Sequence, residues 1–431
     1  MHLARRSYVL VVLTAVLAVA GIWSSDPYLA HLWRIPAALL LLGLALEGAF
    51  VRRLLPQVRL HSAARAFLGR PQPAAFVFTN PGRRAVALEY APAMPSGFEA
   101  QPAVRRISIP PRAVLEDALT LLPVRLGPQR WPALPARLRG ALGLAWWTSV
   151  LQPREELTIA PEVLRDRMRV RGFASGIRAQ RALGAGQELH QLRGYAPGDP
   201  LTRIDWKATA RSGALMTREY SEDQHLDVLV AIDAGRLSRV RSGRLDRFGL
   251  YSNVAASFAE LVTLNDDRIG LLVYADQVLA RRAPARGLAA VTGLRRALEH
   301  LVVHPAESDP TAAAVSIRRL LRQRALIVVL TDLDDASVAG ALARAVRLLA
   351  PPHLVLIAGV HSGEIEELAE AEARDWSDPW IALAATEQLR RAAAQRELLQ
   401  RLGAPVVSAA PQQLAPALIS RYEALRQSRR V

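Results

Sequence analysis

Residues 194–220 read GYAPGDPLTRIDWKATARSGALMTREY, and this segment guides the interpretation of the chain on both sides of it. It begins close to the turn signal Pro197-Gly198. Opposite charges and one indole then lie close together, at Asp199, Arg203, Asp205, Trp206, Lys207 and Arg211. This spacing favours a shaped loop, whose charged side chains pair with one another, over a solvated run of charges.

A continuous apolar run, DVLVAID at 227–233, follows this loop and ends in a carboxylate, which predicts a buried strand. Apolar runs and helical patterns then alternate to the end of the chain. Predicted helices cover 248–264, 311–322 and 336–349, with one long helix to about 402 and a final one; predicted strands cover 269–274, 326–331, 354–358 and 406–408. This alternation predicts an α/β domain over 226–431 with a doubly wound parallel sheet.

The residues GDPLTRIDWKATAR at 198–211, followed by a strand that ends in aspartate, resemble the DUF58 family. Upstream, the pattern Arg139-Gly140-x-x-Gly143-Leu144 and the strand at 158–161 also resemble that family. The resemblance implies a membrane-anchored protein that works with a MoxR-type AAA+ ATPase. It implies an architecture and a partner, and it supplies no known reaction.

Composition limits the classes of function. The chain has 431 residues and no cysteine, which excludes disulfides and thiol-based catalysis or zinc binding. The net charge of +16 comes almost wholly from scattered arginines, since Lys207 is the one lysine. No nucleic-acid readout motif accompanies these arginines, so we expect no nucleic-acid partner.

Two apolar runs near the N-terminus, 8–23 and 35–51, predict a transmembrane helical hairpin within residues 1–55. Glu47 is the one charged residue in the second run. The arginine pairs at 5–6 and 52–53 flank the hairpin, so the positive-inside bias predicts that most of the chain lies in the cytoplasm. With the family resemblance, the expected location is a bacterial inner membrane. The alternative is a cleaved signal peptide, because Ala18-Val19-Ala20 resembles a cleavage site.

Residues 56–162 show short alternating runs broken by proline and glycine, which predicts a small β-sandwich. We expect it to be a spacer or a docking module. Trp146-Trp147 fits buried packing better than an exposed contact surface. Residues 163–225 are interpreted as a glycine-containing connector followed by the charged loop.

The C-terminal domain resembles a von Willebrand factor A domain, whose metal site combines DxSxS on the first strand with a threonine and a later aspartate. The resemblance places Asp233, Thr311 and Asp332 in that site, and their oxygens suit Mg²⁺. However, Gly235 and Leu237 stand where the two serines belong, so we expect a degenerate site without a resident cofactor, with weakly held Mg²⁺ as the alternative.

Two converging carboxylates repel each other unless a cation lies between them. Arg236 is the candidate charge substitute, pairing with Asp233 or Asp332; the alternative is that it points to solvent.

The favoured function is a non-enzymatic adaptor that recruits a MoxR-type AAA+ ATPase for maturation or remodelling of other complexes. Proteins with von Willebrand factor A domains are possible further partners. The alternative is a metal-dependent enzyme using the loop 199–211 and the strand-end carboxylates. The loop could equally be structural, with Asp199, Arg203, Asp205 and Arg211 pairing with one another.

Overall fold

The computed structural model describes residues 2–23, 27–51, 55–99, 103–153, 155–162, 182–184, 188–222, 225–301, 303–333, 336–361 and 363–427. Its contacts divide the chain into two compact units. The first unit comprises Met1–Glu162 and Leu298–Val302, and the second comprises Val163–Ala297 and Val303–Val431.

The first unit begins with three helices, α1 (Arg5–Ile22), α2 (Pro27–His31) and α3 (Arg34–Phe50). The segments Arg5–Ile22 and Tyr28–Phe50 are long and apolar enough to cross a membrane. Apolar side chains such as Val9 and Leu41 are exposed on these helices. The prediction of two apolar N-terminal helices is therefore confirmed.

The remainder of the first unit is made of short strands that pack around aromatic side chains. They are β1 (His2–Leu3), β2 (Gln57–His61), β3 (Arg65–Phe67), β4 (Gln72–Thr79), β5 (Val86–Tyr90), β6 (Arg105–Ile109), β7 (Val114–Leu121), β8 (Gly127–Arg130), β9 (Leu134–Arg139), β10 (Ala145–Leu151) and β11 (Glu156–Ala160). Within the described residues they form sheets in the orders β1-β10-β9-β5-β6, β2-β4-β7 and β3-β11-β8. Phe76 lies at the centre of the core, in edge-on contact with Tyr90 and Trp131.

The second unit contains the α/β fold. Its strands are β12 (Ala182–Gly184), β13 (Glu188–Gly194), β14 (Met216–Glu222), β15 (Asp227–Asp233), β16 (Arg241–Ser242), β17 (Leu245–Asp246), β18 (Arg268–Tyr274), β19 (Val278–Ala285), β20 (Ala325–Leu330), β21 (Leu354–Val360) and β22 (Val406–Ala409). Its helices are α4 (Trp206–Ser212), α5 (Arg247–Leu264), α6 (Gly287–Glu299), α7 (Pro310–Leu320), α8 (Ala336–Leu349), α9 (Glu364–Glu370), α10 (Asp378–Arg401) and α11 (Leu414–Gln427).

The main sheet has the strand order β19-β18-β15-β20-β21-β22. Strands β18, β15, β20, β21 and β22 run parallel, whereas β19 pairs with β18 in the antiparallel direction. In chain order this is a 3-2-1-4-5-6 arrangement, the order of a doubly wound sheet with its switch point beside the first strand. Strand β15 lies at that point, and its residues from Val228 onward are buried.

Two sequence-based expectations for this unit are corrected. The sheet is not wholly parallel, because the β19 edge strand (VLARRAPA), in which Arg281 and Arg282 are exposed, runs antiparallel. The single long helix before residue 402 is two helices, α9 and α10, separated by residues 371–377. Asp378 and Pro379 begin the second helix, since proline fits the first turn where its missing N–H costs nothing.

Candidate functional site

Two carboxylates lie at the carboxyl edge of the main sheet. Asp233 is the last residue of β15, and Asp332 follows the end of the adjacent strand β20. The two strands are parallel, with Ile232 opposite Leu330, so both carboxylates emerge at the same edge. Ligands of doubly wound sheets bind at this edge, which makes it the first candidate site.

Asp233 is buried and held by neutral donors. Its Oδ1 accepts hydrogen bonds from the backbone N–H of Gly235 at 2.9 Å and from the hydroxyl of Ser308. Its Oδ2 accepts from Thr331 Oγ1 at 2.8 Å. These bonds meet the hydrogen-bonding needs of a carboxylate that the fold removes from water.

The glycine at position 235 makes room for Ser308. A Cβ placed on Gly235 would collide with the Ser308 hydroxyl, so a serine at position 235 would displace it. Ser238 donates instead to the backbone carbonyl of Asp233 at 2.7 Å. The departure from DxSxS thus has a physical reason, because a hydroxyl from a distant loop takes the place of the local serine.

The cation at this edge is Arg247. Its guanidinium forms an ion pair with Asp332, and both side chains are only 8% exposed. Asp246 accepts a hydrogen bond from the Gly249 N–H at 2.8 Å and so caps α5, which fixes Arg247 at the first position of that helix. The prediction that Arg236 is the charge substitute is wrong, because its guanidinium contacts the exposed carboxylate of Glu307 at 3.3 Å.

The hydrogen bonds of Thr311 go to groups other than Asp233. Its hydroxyl lies 3.5 Å from the Ala341 carbonyl of α8, and its backbone N–H is capped by Asp309 at 2.9 Å. Within the described residues, no three His, Asp or Glu side chains converge as metal ligands. The Asp332 carboxylate is paired with Arg247, and both oxygens of Asp233 already accept hydrogen bonds, so these two side chains do not fit as ligands of a resident Mg²⁺.

Tyr274 lies opposite Asp233 on strand β18. Burial raises the pKa of the Tyr274 phenol well above its usual value, and the negative charge of Asp233 raises it further. The phenol is therefore neutral at physiological pH and cannot act there as a base.

The loop 194–220 is a second candidate site, built on β13, α4 and β14. Gly194 pairs with Met216 where β13 meets β14, and the Asp205 N–H donates to the Met216 carbonyl at 2.8 Å. Asp205 also caps α4, since its Oδ1 accepts from the N–H groups of Lys207 and Ala208 at 3.0 Å. The helix ends at Gly213, whose φ of +69° is the left-handed conformation that glycine adopts without strain.

The aspartates of this loop form ion pairs with arginines of the flanking strands. Arg193 binds both oxygens of Asp199 at 2.8 Å, and Arg218 Nε lies 2.9 Å from Asp205 Oδ2. The Arg193 guanidinium, followed by the Ala196 N–H, lowers the pKa of Asp199. The Ala208 N–H, followed by Arg218, lowers the pKa of Asp205. Both carboxylates are ionised at neutral pH.

The expected pairing of Arg203 and Arg211 with these aspartates is not observed. Among the residues that the structure describes, neither arginine has an ion-pair partner. Trp206 is 67% exposed, and Lys207 and Arg211 are exposed beside it. The loop thus uses its acidic side chains for its own structure and presents an indole and cations to solvent.

Glu47 forms a third buried polar centre, within the first unit, near the end of α3. Its carboxylate accepts hydrogen bonds from the backbone N–H groups of Leu142 at 2.7 Å, Leu144 at 3.1 Å and Ala145 at 3.0 Å. A Cβ on Gly140 would collide with this carboxylate. The sequence-based interpretation missed this role, although a lone acid in an apolar helix is a signal for one.

Trp147 packs against the same helix. A Cβ placed on Gly48 would lie 2.8 Å from the Trp147 ring, so glycine at 48 allows the close approach. Both Trp146 and Trp147 are half-buried in β10. Of the two tryptophans that the sequence predicts to pack, Trp147 is therefore the one that packs against α3.

The sequence model of the family described as "Protein of unknown function DUF58" matches residues 191–402. These residues belong to the DUF58 family. The DUF58 region begins in β13 and ends after α10, so it includes the loop 194–220 together with Asp233, Arg247, Ser308 and Asp332. Glu47 lies outside it. The resemblance stated from the sequence is confirmed for this region.

Uncharacterized proteins of Mycobacterium tuberculosis and Mycobacterium bovis are 28% identical to this chain over 152 residues. That stretch covers 35% of this chain and 48% of each relative, so the chain spans about half the length of the curated relatives it matches. Among solved structures, the VWA domain of SpRpn10 is similar at 16% identity, with 46% of this chain and 95% of that one covered and a TM-score of 0.28. Proximal thread matrix protein 1 from the mussel byssus is similar at 10% identity, with 46% of each chain covered and a TM-score of 0.27.

Proposed function

We propose that this DUF58 protein is a membrane-anchored adaptor that recruits a MoxR-type AAA+ ATPase through the exposed face of the loop 194–220. The observation that carries the proposal is the exposure of Trp206, which is 67% accessible on a helix that two ion pairs hold in place. An exposed tryptophan flanked by cations on a rigid support is the composition of a binding hot spot.

The arrangement favours binding over catalysis. Asp199 and Asp205 hold the loop together through Arg193 and Arg218, so neither is free to act as a general base. Trp206, Lys207 and Arg211 remain available to a partner. The alternative of a metal-dependent enzyme draws no support from this arrangement.

The α/β domain is proposed to be a von Willebrand factor A-like platform that operates without an ion. Its strand order and the position of Asp233 at the end of the first strand support this assignment. The Arg247 guanidinium supplies at Asp332 the positive charge that a cation would otherwise bring. We therefore expect that treatment of the adaptor with a chelator, which removes Mg²⁺, leaves its affinity for the partner unchanged.

The helices α1 and α3 are proposed to anchor the protein in a bacterial inner membrane as a hairpin, with the α/β domain in the cytoplasm. The arginine pairs at 5–6, before the first span, and at 52–53, after the second span, support this orientation. The loop would then be accessible to a cytoplasmic AAA+ ATPase.

Co-purification of the full chain from membranes with a MoxR-type ATPase tests the proposal. Trp206→Ala and Lys207→Glu/Arg211→Glu are expected to reduce the co-purified ATPase by about tenfold or more, because they remove the exposed aromatic side chain that the partner would cover or the charges that flank it. Arg319→Glu/Arg322→Glu reverses two exposed charges on another part of the domain and serves as the matched control. Equal recovery of the ATPase by all variants would refute the proposed interface.

A further inference from the structure

An acidic arm extends from the carboxyl edge of the main sheet. We define it as residues 361–383, which follow β21 and include α9 and the first turns of α10. It contains seven carboxylates and one arginine, in a chain whose net charge is +16. The carboxylates are Glu364, Glu366, Glu367, Glu370, Glu372, Asp375 and Asp378.

The acidic arm also exposes large apolar side chains. Trp376 is 81% exposed, Trp380 is 67% exposed and Leu383 is 61% exposed. Helix α9 has no buried residue, and the first buried position of α10 is Ala385. Exposed tryptophans clustered in this way mark a surface that another molecule covers.

A basic segment lies at the same edge of the sheet. We define it as residues 236–245, which follow β15 and form a short turn and the ribbon of β16 and β17. Arg236, Arg239, Arg241 and Arg244 are all exposed, and Val240 is 46% exposed between them. Within the described part of the chain, Arg239, Arg241 and Arg244 have no ion-pair partner.

The acidic arm and the basic segment follow parallel strands that are separated only by β20. Their starting points are therefore about 10 Å apart, from the usual spacing of strands in a sheet. One edge of the domain thus carries both signs of charge side by side, each with exposed apolar side chains. Such an edge is complementary to a second copy of itself turned by a two-fold rotation.

We propose that two copies of this chain associate through this edge, with the acidic arm of each copy packed on the basic segment of the other. Trp376 and Trp380 supply the apolar contact, and the arginines neutralise the carboxylates around it. Anionic surfaces are poor alternatives, because lipid headgroups and nucleic acids repel seven carboxylates. This association is independent of the ATPase contact proposed above, which uses Trp206.

Light scattering of the full chain in nanodiscs or detergent tests the proposal. We expect a dimer at 0.15 M salt that dissociates as salt rises, because the pairs are exposed and screened. Glu367→Arg/Glu370→Arg and Arg241→Glu/Arg244→Glu, each alone, should weaken the dimer about tenfold or more. Trp380→Ala should do the same, whereas Arg319→Glu/Arg322→Glu should leave it unchanged.

Mixing the two charge-reversal variants provides the decisive measurement. In a two-fold pair of one copy of each variant, the arginine-bearing arm of the first meets the glutamate-bearing segment of the second, and the acidic arm of the second meets the basic segment of the first. Both contacts then join opposite charges, so mixing should restore a dimer that neither variant forms alone. Combining all four reversals in one chain should restore the dimer, because each arm then meets its opposite charge. Failure of the combined variant to associate while it remains folded, or a monomeric parent chain, would overturn the proposal. Loss of ATPase binding with an intact dimer would count against the proposed function alone.

Discussion

The ion pair between Arg247 and Asp332 is the side-chain contact that most clearly sets the chemistry of the sheet edge. Both groups are buried, so each compensates the desolvation of the other. Asp233 is stabilised differently, by two hydroxyls and one N–H. The edge therefore contains one charge-compensated carboxylate and one that is held by neutral donors.

Arg247→Ala should lower the free energy of unfolding by about 3–5 kcal/mol, because it leaves Asp332 buried without its cation. Arg236→Ala should change it by less than about 0.5 kcal/mol, since its contact with Glu307 is exposed. Chemical denaturation of the full chain in detergent, followed by the far-ultraviolet dichroism of the α/β domain, measures both. Equal effects of the two substitutions would contradict the assignment of Arg247 as the cation that stabilises Asp332.

Sequence patterns could locate the carboxylates of this edge but not their cation. Asp233 ends an apolar run, and Asp332 follows another, so strand boundaries alone indicate both. Arg247 is remote from Asp332 in the chain, and only the packing of α5 against the sheet brings them together. One sequence feature could have identified Arg247. Asp246 is a capping residue at the start of a strong helical pattern, and a cap fixes the position of the residue that follows it.

Asp267 provides a prediction about pH. Its carboxylate is buried against the Tyr422 hydroxyl and accepts from the Leu226 N–H at 3.0 Å, and burial raises its pKa. The folded state then holds the Asp267 proton more tightly than the unfolded state, so this group's contribution to stability falls as pH rises above about 3.9. The difference in unfolding free energy between the parent and Asp267→Asn should decline with pH above that value. A difference that rises with pH would contradict the raised pKa.

The contact between α3 and the hairpin of β9 and β10 links an apolar helix to the β-rich part of the first unit. Glu47 replaces water as the acceptor for three backbone N–H groups in the hairpin turn. Ser7 of α1 donates to the Leu144 carbonyl of the same turn. Both apolar helices therefore form hydrogen bonds with one turn, and the pattern Arg139-Gly140-x-x-Gly143-Leu144 is the sequence of that turn.

Glu47→Ala should release the turn. Three buried N–H groups would lose a charged acceptor, at a cost of about 3 kcal/mol. Hydrogen exchange of the Leu142, Leu144 and Ala145 amides in nanodiscs should become about 100-fold faster. Glu89→Ala removes an ion pair with exposed Arg106 in the same unit and serves as the control, with exchange of the turn unchanged.

Unchanged exchange of the turn in Glu47→Ala would mean that β1 and Ser7 hold it without the carboxylate.

The elements of the α/β domain were largely predictable because its strands are continuous apolar runs and its helices are periodic. Helix α8 matches its predicted bounds, and α5 differs by one residue. Strand β19 was missed because the consecutive exposed residues Arg281 and Arg282 interrupt its apolar pattern at the edge of the sheet. The break between α9 and α10 was missed because residues 371–377 begin with the helix-forming residues Ala371, Glu372 and Ala373.

For the molecule as a whole, the chain combines an apolar helical pair, a β-rich module and an α/β domain in the DUF58 family. The hydrophobic pattern of the sequence could indicate the order of these parts, since each part has its own periodicity. The pattern could not indicate which face of the loop 194–220 is exposed to solvent. That depended on Arg193 and Arg218, which lie on strands that flank the loop.

The membrane orientation can be tested without removing native thiols, because the chain has no cysteine. Tyr28→Cys lies in α2 between the two apolar helices, and Ser212→Cys lies in the exposed loop. A membrane-impermeant maleimide should label Tyr28→Cys in intact cells and Ser212→Cys only after lysis, as the positive-inside bias requires. The reverse pattern would invert the proposed orientation.

The affinity of a MoxR-type ATPase for the full chain in nanodiscs tests the adaptor account most directly. Titration should show saturable binding that Trp206→Ala weakens by about tenfold or more, while the chain alone turns over no substrate. Absence of binding by the parent chain, or hydrolysis of a substrate by the chain without the ATPase, would contradict the account.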